Sequence, residues 1–374
     1  MSLTVPPVAL PLVPAVRRYA WGSPTALPAL RGEEPDGRPV AELWFGAHPT
    51  GPAAVVLDGA EVPLDHLVAA DRDGALGAGA TRWSGLPFML KLIAAAEPLS
   101  IQVHPPVERA RTRFAAEADS PDERRYQDPY AKPEVVCALG AFDALIDFRS
   151  VDAVLHDLDG AGLVSIAREL RSHGLAAAVR HVLSADRVEI DAAIDALVAR
   201  GDEVSTRLAA QYPGDRGVVL ATFLNPVRLA SGEGAFLGPR TVHAYLGGVA
   251  VEVMGTSDNV LRAGLTSKLV DVDEFLTVAR LAPCGPDILH TDAAGLYPTR
   301  AEEFTIIRHD GTSAHDIVGP AVIVCTSGTV DVAGVPLTPG HGAFVPAAAG
   351  VAAVRGSGEA YAAVAGSDFE SDDA

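Results

Sequence analysis

The chain has 374 residues, of which 48% are hydrophobic and 21% charged, and this length suffices for roughly two to three domains. Its 36 glycines, 28 prolines and few aromatic residues are typical of a globular, turn-rich β protein and exclude disorder, collagen and coiled coil. The formal net charge of −19 argues against binding to nucleic acid or an anionic membrane, because such a surface repels both. An anionic substrate must therefore meet a local basic pocket.

The sequence shows no signal for export or membrane insertion. No apolar run reaches the about eighteen residues that a membrane span needs, and the apolar N-terminal stretch is broken by prolines, unlike a signal peptide. Three scattered cysteines, Cys137, Cys284 and Cys325, favour neither a disulfide framework nor a thiolate metal site. We expect a cytoplasmic protein and, of the oligomeric states that the sequence leaves open, a monomer.

Hydrophobic patterning divides the chain into four segments. Residues 1–149 alternate short apolar runs with Gly, Pro and Asp, which predicts strands and turns. Residues 150–222 carry Ala and Leu at helical spacing, with Ser150 and Ser184 as predicted N-caps and Pro213 as a predicted helix end. The β pattern returns in residues 223–275, which complete the first β unit, and continues in residues 276–374 as a second β unit.

Two segments, 229–236 and 337–344, share the pattern Leu-x-x-Gly-x-Gly-Ala-Phe. A strand that enters a glycine turn and a second strand that leaves it form the repeating unit of jelly rolls. We therefore predict a mainly β protein with two jelly-roll, cupin-like β-barrels and an inserted helical domain. His243 follows the first Leu by fourteen residues, whereas Val351 stands at that offset in the second copy, so a metal site in the first barrel would have no counterpart in the second.

Lysine is rare in this chain. Of 29 basic residues, only Lys91, Lys132 and Lys268 are lysines. Arginine serves wherever a solvated cation is needed, whereas lysine supplies a compact ammonium group whose charge the surroundings can tune. The three lysines are therefore candidates for positions that require an amine.

Side chains of ligand and catalytic types gather in three segments. In the first, Ser100 and Gln102 share one face of an extended strand with His104. The second is Lys132-Pro133-Glu134, where the proline favours extended geometry. One glutamine, two histidines and one glutamate from such segments would form a nitrogen and oxygen site for a divalent metal, exchangeable because glutamine is a weak ligand.

The third segment is the densest in polar side chains. His243 and Tyr245 share a strand face, and Glu252 is expected one turn and one strand further on. The following stretch is too polar for a core and is typical of an anion pocket; it contains Asp258, Asn259, Arg262 and Lys268.

These segments resemble those of one known family. AELWFGAHPTGPA, LPFMLKLIAAAEPLSIQVHPP, KPEVVCALGAFDALIDFR, QYPGDRGVVLATFLNPVRL, GPRTVHAYLGG and VEVMGTSDNVLRAGLTSK are similar, in this order, to type I mannose-6-phosphate isomerases. The resemblance implies a cupin-type aldose–ketose isomerase with one Zn²⁺, or another divalent metal, per chain. It would interconvert mannose 6-phosphate and fructose 6-phosphate through an enediolate and supply mannose for polysaccharide and GDP-mannose synthesis.

The resemblance also implies roles for individual residues. The zinc ligands would be Gln102, His104, Glu134 and His243. Arg262 would be catalytic, and the proton-transferring base would be Glu252 or Lys132, between which the sequence does not choose. The substrate-binding residues would be Lys91, Ser100, Tyr245, Asp258 and Lys268, with the phosphate against Ser100, Lys91 and Lys268.

The chain departs from the family pattern at two positions. It has Tyr130-Ala131 where the family often has Asn-His before Lys-Pro-Glu, so that histidine can have no role in proton transfer here. Val242 stands where proline is common. Three alternatives remain: a non-catalytic cupin-like protein that binds a sugar phosphate or a metal, a metal-dependent oxygenase, and an isomerase of another sugar.

Overall fold

The computed structural model describes residues 3–119, 124–312 and 314–366. The strands are β1 Leu10–Val13, β2 Ala15–Arg17, β3 Glu42–Gly46, β4 Ala54–Leu57, β5 Ala60–Pro63, β6 Phe88–Ala95, β7 Ile101–Val103, β8 Glu134–Ala138, β9 Phe142–Phe148, β10 Leu224–Leu229, β11 Gly234–Leu237, β12 His243–Gly255, β13 Leu261–Gly264, β14 Asp287–Leu289, β15 Leu296–Tyr297, β16 Phe304–His309, β17 His315–Val318, β18 Ala321–Ser327, β19 Val330–Val332, β20 Val335–Leu337, β21 Gly342–Val345, β22 Val351–Gly356 and β23 Glu359–Ala365. The helices are α1 Ala26–Leu30, α2 Leu64–Ala70, α3 Arg72–Leu76, α4 Val107–Ala116, α5 Val151–Gly160, α6 Val164–Ser184, α7 Arg187–Ala199, α8 Glu203–Gln211, α9 Arg216–Ala221 and α10 Val272–Val278.

The strands form three sheets. An 11-stranded sheet has the order β14-β11-β8-β12-β6-β3-β2, and β7, β9, β10 and β13 join it beside β12. An eight-stranded sheet has the order β15-β16-β23-β18-β21-β1-β4-β5, and β17-β22-β19-β20 form a third sheet. The prediction of a mainly β protein with a helical segment is confirmed. Within the described residues, no helix combines the length and apolarity that a bilayer crossing requires.

The first 149 residues contribute strands to two sheets. Strands β2, β3 and β6 to β9 belong to the 11-stranded sheet, whereas β1, β4 and β5 join strands from the C-terminal part of the chain. β1 pairs antiparallel with β21, where Leu12 lies opposite Gly342, and with β4 on its other side. The two β units are therefore connected by shared strands.

Helices α5 to α9 lie within the segment 150–222. The Ser150 side chain accepts a hydrogen bond from the Ala153 amide and caps α5, as predicted. The prediction for Ser184 is wrong, because Ser184 is the last residue of α6 and Asp186 caps the next helix. Aspartate caps helices as well as serine does, and α7 can begin at Arg187 because Ala185 leaves the helical conformation.

Pro213 does not end the helical segment. α8 ends at Gln211, and α9 follows after a short turn with Asp215 as its N-cap. The turn therefore separates two helices rather than returning the chain to strands.

The helices cover one face of the strands that carry the candidate site. Val103 of β7, Ala244 of β12 and Leu261 of β13 belong to the same buried cluster as the apolar faces of α5 to α9. Because successive side chains of a strand point to opposite faces, the neighbours Gln102 and His243 face away from the helices. The alternation thus separates an apolar face for packing from a polar face.

The internal repeat forms the predicted strand-turn-strand unit twice. Gly232 and Gly340 lie at the turns with left-handed φ values of 83° and 75°, a conformation that glycine adopts readily. The strands that follow, β11 and β21, are fully buried. His243 begins β12 as Val351 begins β22.

Glu252 does not lie on a separate strand, so that expectation is wrong. β12 runs without interruption through 13 residues, and its register with β9 shifts between Tyr245 and Gly247. Gly248 has φ +121°, and a Cβ there would lie 2.6 Å from the Ala141 carbonyl oxygen. Gly247 and Gly248 therefore bend the strand instead of ending it, as glycines do at other β-bulges.

Candidate active site

Three buried side chains converge where β7, β8 and β12 meet. Glu134 Oε1 lies 3.3 Å from His104 Nε2, and Glu134 Oε2 lies 3.2 Å from His243 Nε2. One potential ligand atom from each residue lies within 4.8 Å of the others. The antiparallel sheet thus assembles two imidazoles and a carboxylate from distant parts of the chain.

The ring orientation of both histidines suits metal binding. His104 Nδ1 lies 2.7 Å from the Asn259 carbonyl oxygen, and His243 Nδ1 lies 3.0 Å from that of Thr241. A carbonyl oxygen can only accept, so each Nδ1 carries the proton and each Nε2 presents its lone pair.

The facing atoms lack hydrogen bonds. His104 Nε2, His243 Nε2 and Glu134 Oε2 are buried and have no hydrogen-bond partner among the described residues. A buried polar atom without a partner costs about 1–3 kcal/mol. A divalent cation would satisfy all three atoms, so the residues present fit a zinc ion.

Gln102 and Arg262 share the sheet face of His243. In the strand register, Gln102 lies directly opposite His243 on one side and opposite Arg262 on the other. Opposed residues of antiparallel strands point to the same face. Arg262 is half-buried, and burial lowers the pKa of its guanidinium group.

Lys132 adds a cation to the cluster. Its Nζ lies 2.9 Å from Glu134 Oε1, and the side chain is almost fully enclosed. Burial raises the pKa of Glu134, but Lys132 and His104 outweigh burial and hold this pKa well below its usual range. Burial lowers the pKa of His104. These shifts favour the carboxylate form of Glu134 and the neutral form of His104, the protonation states that bind metals.

Lys91 is enclosed by carboxylates, an arrangement that the sequence does not predict. Its Nζ lies 3.0 Å from Glu252 Oε2 and 3.7 Å from Glu42 Oε1. Burial opposes its charge, but these two carboxylates raise the pKa of Lys91. The Tyr245 hydroxyl donates a 2.7 Å hydrogen bond to Glu252 Oε1, and burial followed by the Glu252 charge raises the pKa of Tyr245.

The remaining predicted site residues lie nearer the surface. Ser100 is half-buried just before β7, and Asp258 and Lys268 are exposed. Asp258 Oδ2 lies 3.5 Å from Nε2 of the buried His48. Lys268 lies in the turn after β13, where its amide donates to Thr266 Oγ1.

A cavity of about 890 Å³ borders the segment that carries Lys132, but among the described residues its lining includes neither Lys132 nor any of the proposed metal ligands. Ala131 and Pro133, which flank Lys132, line it together with His48, Asp258 and Tyr130. This volume lies in the range of small-molecule sites, about 300–1,000 Å³. Ala131, at the position where the family often has histidine, therefore forms part of the apolar wall of this cavity.

Three residues near the site are absent from the sequence-based predictions: Glu42, Trp44 and His48. The Trp44 indole Nε1 donates to Glu42 Oε2 at 2.6 Å and so fixes a carboxylate beside Lys91. These three residues lie in motifs whose spacing is not diagnostic of any site. Asn259 belongs to the polar third segment of the sequence analysis, and asparagine occurs only twice in the chain, at 225 and 259.

Comparisons with known proteins agree with this geometry. The sequence profile of the phosphomannose isomerase type I catalytic domain matches residues 9–151. The mannose-6-phosphate isomerase of Escherichia coli K12 is 35% identical over 93% of this chain and 97% of its own, and the human enzyme is 31% identical over 74% of each. A zinc-bound crystal structure of mannose 6-phosphate isomerase has a TM-score of 0.89 at 32% identity and covers 96% of this chain and 100% of that chain. A mutant phosphomannose isomerase from Salmonella typhimurium has a TM-score of 0.90 at 33% identity, with 96% and 99% covered.

Proposed function

The chain belongs to the type I phosphomannose isomerase family, and on this premise we propose that it interconverts mannose 6-phosphate and fructose 6-phosphate. The observation that carries the proposal is the group His104, Glu134 and His243, whose facing atoms are buried and have no hydrogen-bond partner in the described part of the chain. The relatives from bacteria to human carry the name of this activity. We further propose that the protein acts as a monomer in the cytoplasm.

A zinc ion would be held by His104, Glu134 and His243, with Gln102 as a fourth ligand from the same sheet face. When bound, the ion stabilises negative charge that develops on the substrate oxygens O1 and O2. The backbone carbonyls of Asn259 and Thr241 hold the imidazoles in the required tautomer.

Arg262 would bind the same oxygens. The reaction moves a proton from C2 of the aldose to C1 of the ketose and a second proton from O2 to O1. Charge on both oxygens rises in between, and a preorganised guanidinium that needs no carboxylate partner stabilises it. The register opposite Gln102 supports this role, because Arg262 then shares the sheet face of the proposed ligands.

We propose Lys132 as the residue that transfers the carbon-bound proton. Its ammonium group contacts one oxygen of a proposed metal ligand, Glu134 Oε1, whereas both carboxylate oxygens of Glu252 have partners, Tyr245 and Lys91. For this role Lys132 must be a neutral amine, which a bound dication nearby favours. Glu252 would then hold Lys91 and Tyr245 in place.

The phosphate would bind Lys268 and Ser100, which are the more accessible of the three residues implied by the resemblance. Lys91 is better suited to balance Glu252 and Glu42, because its ammonium group contacts both. Asp258, at the cavity wall, would bind a sugar hydroxyl group.

The test is a coupled assay that detects fructose 6-phosphate formed from mannose 6-phosphate. Chelator-treated protein should lose activity, and added Zn²⁺ should restore it. His243→Ala should lose both bound zinc and activity, whereas His173→Ala, on an exposed helix face, should retain both. Full activity in protein shown to be free of metal would contradict the proposal.

A further inference from the structure

Asn259 connects two parts of the candidate site. Its backbone carbonyl oxygen accepts from His104 Nδ1 at 2.7 Å. Its side chain, which is almost fully buried, binds the segment that leads to Lys132: the amide Nδ2 lies 2.9 Å from the Asp128 carbonyl oxygen and 3.0 Å from that of Tyr130. One residue thus contacts a metal ligand through its main chain and the preceding loop through its side chain.

The loop in turn contacts the segment around Asn259. The Gln127 amide donates to Asn259 Oδ1 at 2.8 Å. The Asp128 carboxylate accepts from the Ser257 hydroxyl and from the Asp258 amide, each at 2.8 Å. These bonds join residues about 130 positions apart, so the local sequence at neither end specifies them.

The chemistry of the contacts requires a carboxamide. Asn259 Oδ1 accepts while Nδ2 donates to two carbonyl oxygens and to Asp128 Oδ1 at 3.1 Å. An aspartate could accept the first bond, but it would place a carboxylate against three oxygen atoms. The chain uses asparagine at only two positions although Asp and Glu total 48, which is consistent with a specific need for the amide.

We propose that Asn259 is a positioning residue that fixes His104 relative to residues 127–131, the loop that leads to Lys132 and is called the Lys132 loop. When its side chain holds the loop, the backbone carbonyl is immobilised and keeps His104 Nε2 aimed at the metal position. Partners of metal-bound histidines are commonly worth about 10- to 100-fold in affinity or activity. The inference rests on the proposed function, because it presumes that His104 binds zinc.

The experiment measures zinc affinity of the full chain by competition with a chromogenic chelator, alongside kcat and KM for mannose 6-phosphate. Asn259→Ala and Asn259→Asp should each weaken zinc binding about 10- to 100-fold and lower kcat more than they raise KM. Asn259→Asp keeps the side-chain volume, so equal losses in both variants assign the effect to the donated hydrogen bonds. Zinc affinities within twofold of wild type in both folded variants would overturn the inference.

The matched control is the other asparagine of the chain. Asn225 Nδ2 also donates to three carbonyl oxygens, those of Ile146, Asp147 and Cys284. Asn225→Ala should lower thermal stability without weakening zinc binding by more than twofold; an equal loss of zinc there would show that any loosening of the sheet suffices and would overturn the inference.

Two further outcomes separate the possible failures. If Asn259→Ala does not fold, Asp128→Ala, which loosens the same loop from a half-buried position, should still weaken zinc binding, and unchanged binding would overturn the inference. If wild type itself binds no zinc, the proposed function fails rather than this coupling.

Discussion

Two cations of the site differ in how their charge is balanced. Lys91 lies between the carboxylates of Glu252 and Glu42 and forms buried ion pairs with them. Without Lys91, these two carboxylates would be buried charges that lack this cation. Arg262 is half-buried, and burial alone is the cause that lowers its pKa. Among the described residues Arg262 has no ion-pair partner, so its desolvated guanidinium group is available to an anionic ligand, as the proposed catalytic role requires.

Arg262→Ala should lower kcat by about 10²- to 10³-fold, the usual effect of removing one group that stabilises developing negative charge. Bound zinc should remain, because Arg262 is not among the proposed ligands. Steady-state kinetics and metal analysis on the same preparation check both expectations. Arg262→Lys keeps the charge and should restore only part of the rate; loss of zinc in Arg262→Ala would instead assign the residue a role in the metal site.

At the scale of elements, capping determines where the helices of the insert begin. Ser150 and Asp186 each accept a hydrogen bond from an amide in the first turn of the following helix. Ser184 has the same chemistry as Ser150, but it is exposed at the end of α6, where a side-chain acceptor meets no free amide. Position relative to the first turn therefore decides whether a serine stabilises a helix.

Ser150→Ala should lower the free energy of unfolding by about 1 kcal/mol through loss of the cap. Ser184→Ala is the matched control and should change it by less than about 0.5 kcal/mol, as is usual for surface positions. Urea unfolding followed by circular dichroism measures both. Equal effects of the two substitutions would contradict the capping assignment.

A second contact between secondary-structure elements joins helix α4 to helix α10. Glu274 receives two hydrogen bonds from Arg109, at 2.7 and 2.6 Å, and one from the Tyr126 hydroxyl at 2.5 Å. Burial raises the pKa of Glu274, but the bonds from Arg109 and Tyr126 outweigh it and lower this pKa below its ordinary value. A carboxyl group with a lowered pKa stabilises the fold above its unfolded-state pKa, about 4.3.

Glu274→Gln should therefore lower the free energy of unfolding by about 1–3 kcal/mol at pH 7. The difference from wild type should shrink as the pH falls from about 4.3 toward the lowered folded-state pKa of Glu274, because the unfolded state binds a proton first. Once folded Glu274 is protonated as well, wild type has lost the same interaction. Urea titrations at pH 7 and at lower pH measure this. Glu61→Gln, at an exposed position, serves as the control, and a difference independent of pH would argue against the ion pair.

At the scale of the whole molecule, the β units exchange strands. β1, β4 and β5 come from the first 63 residues, yet they extend the sheet built from β15, β16, β23, β18 and β21. We propose residues 1–149 and 223–275 as the catalytic cupin domain, 150–222 as its insertion and 276–374 as a second jelly roll without a metal site. The shared sheet implies that this last segment depends on strands from the first.

A fragment of residues 276–366 should not unfold cooperatively on its own. Without β1, the strand β21 loses one of its two neighbours and becomes an exposed edge that favours aggregation. Linking residues 3–70 to the fragment should restore a cooperative thermal transition, measured by calorimetry and compared with the full chain. A cooperative transition of the fragment alone would show that the segment folds independently.

Much of the fold follows from patterns within about ten residues. Alternating and helical periodicity identify the order of β segment, helical segment and β segment, and the glycine repeat predicts two strand-turn-strand units that the structure contains. Local patterns do not predict the bend in β12, because Gly247 and Gly248 are compatible with a turn or with a bulge. The pairing of β12 with β9 decides between the two.

The sequence by itself determined the family, the order of the segments and the residue types of the site, because motifs and periodicity are properties of residues that are close together in the chain. The tertiary structure alone decided that Lys91 lies between two carboxylates, that Asn259 holds the Lys132 loop, and that β1 completes a sheet with β21. These contacts join residues 49 or more positions apart, and their geometry depends on strand register and burial. Local preferences do not encode such geometry, since it arises only when the sheets assemble.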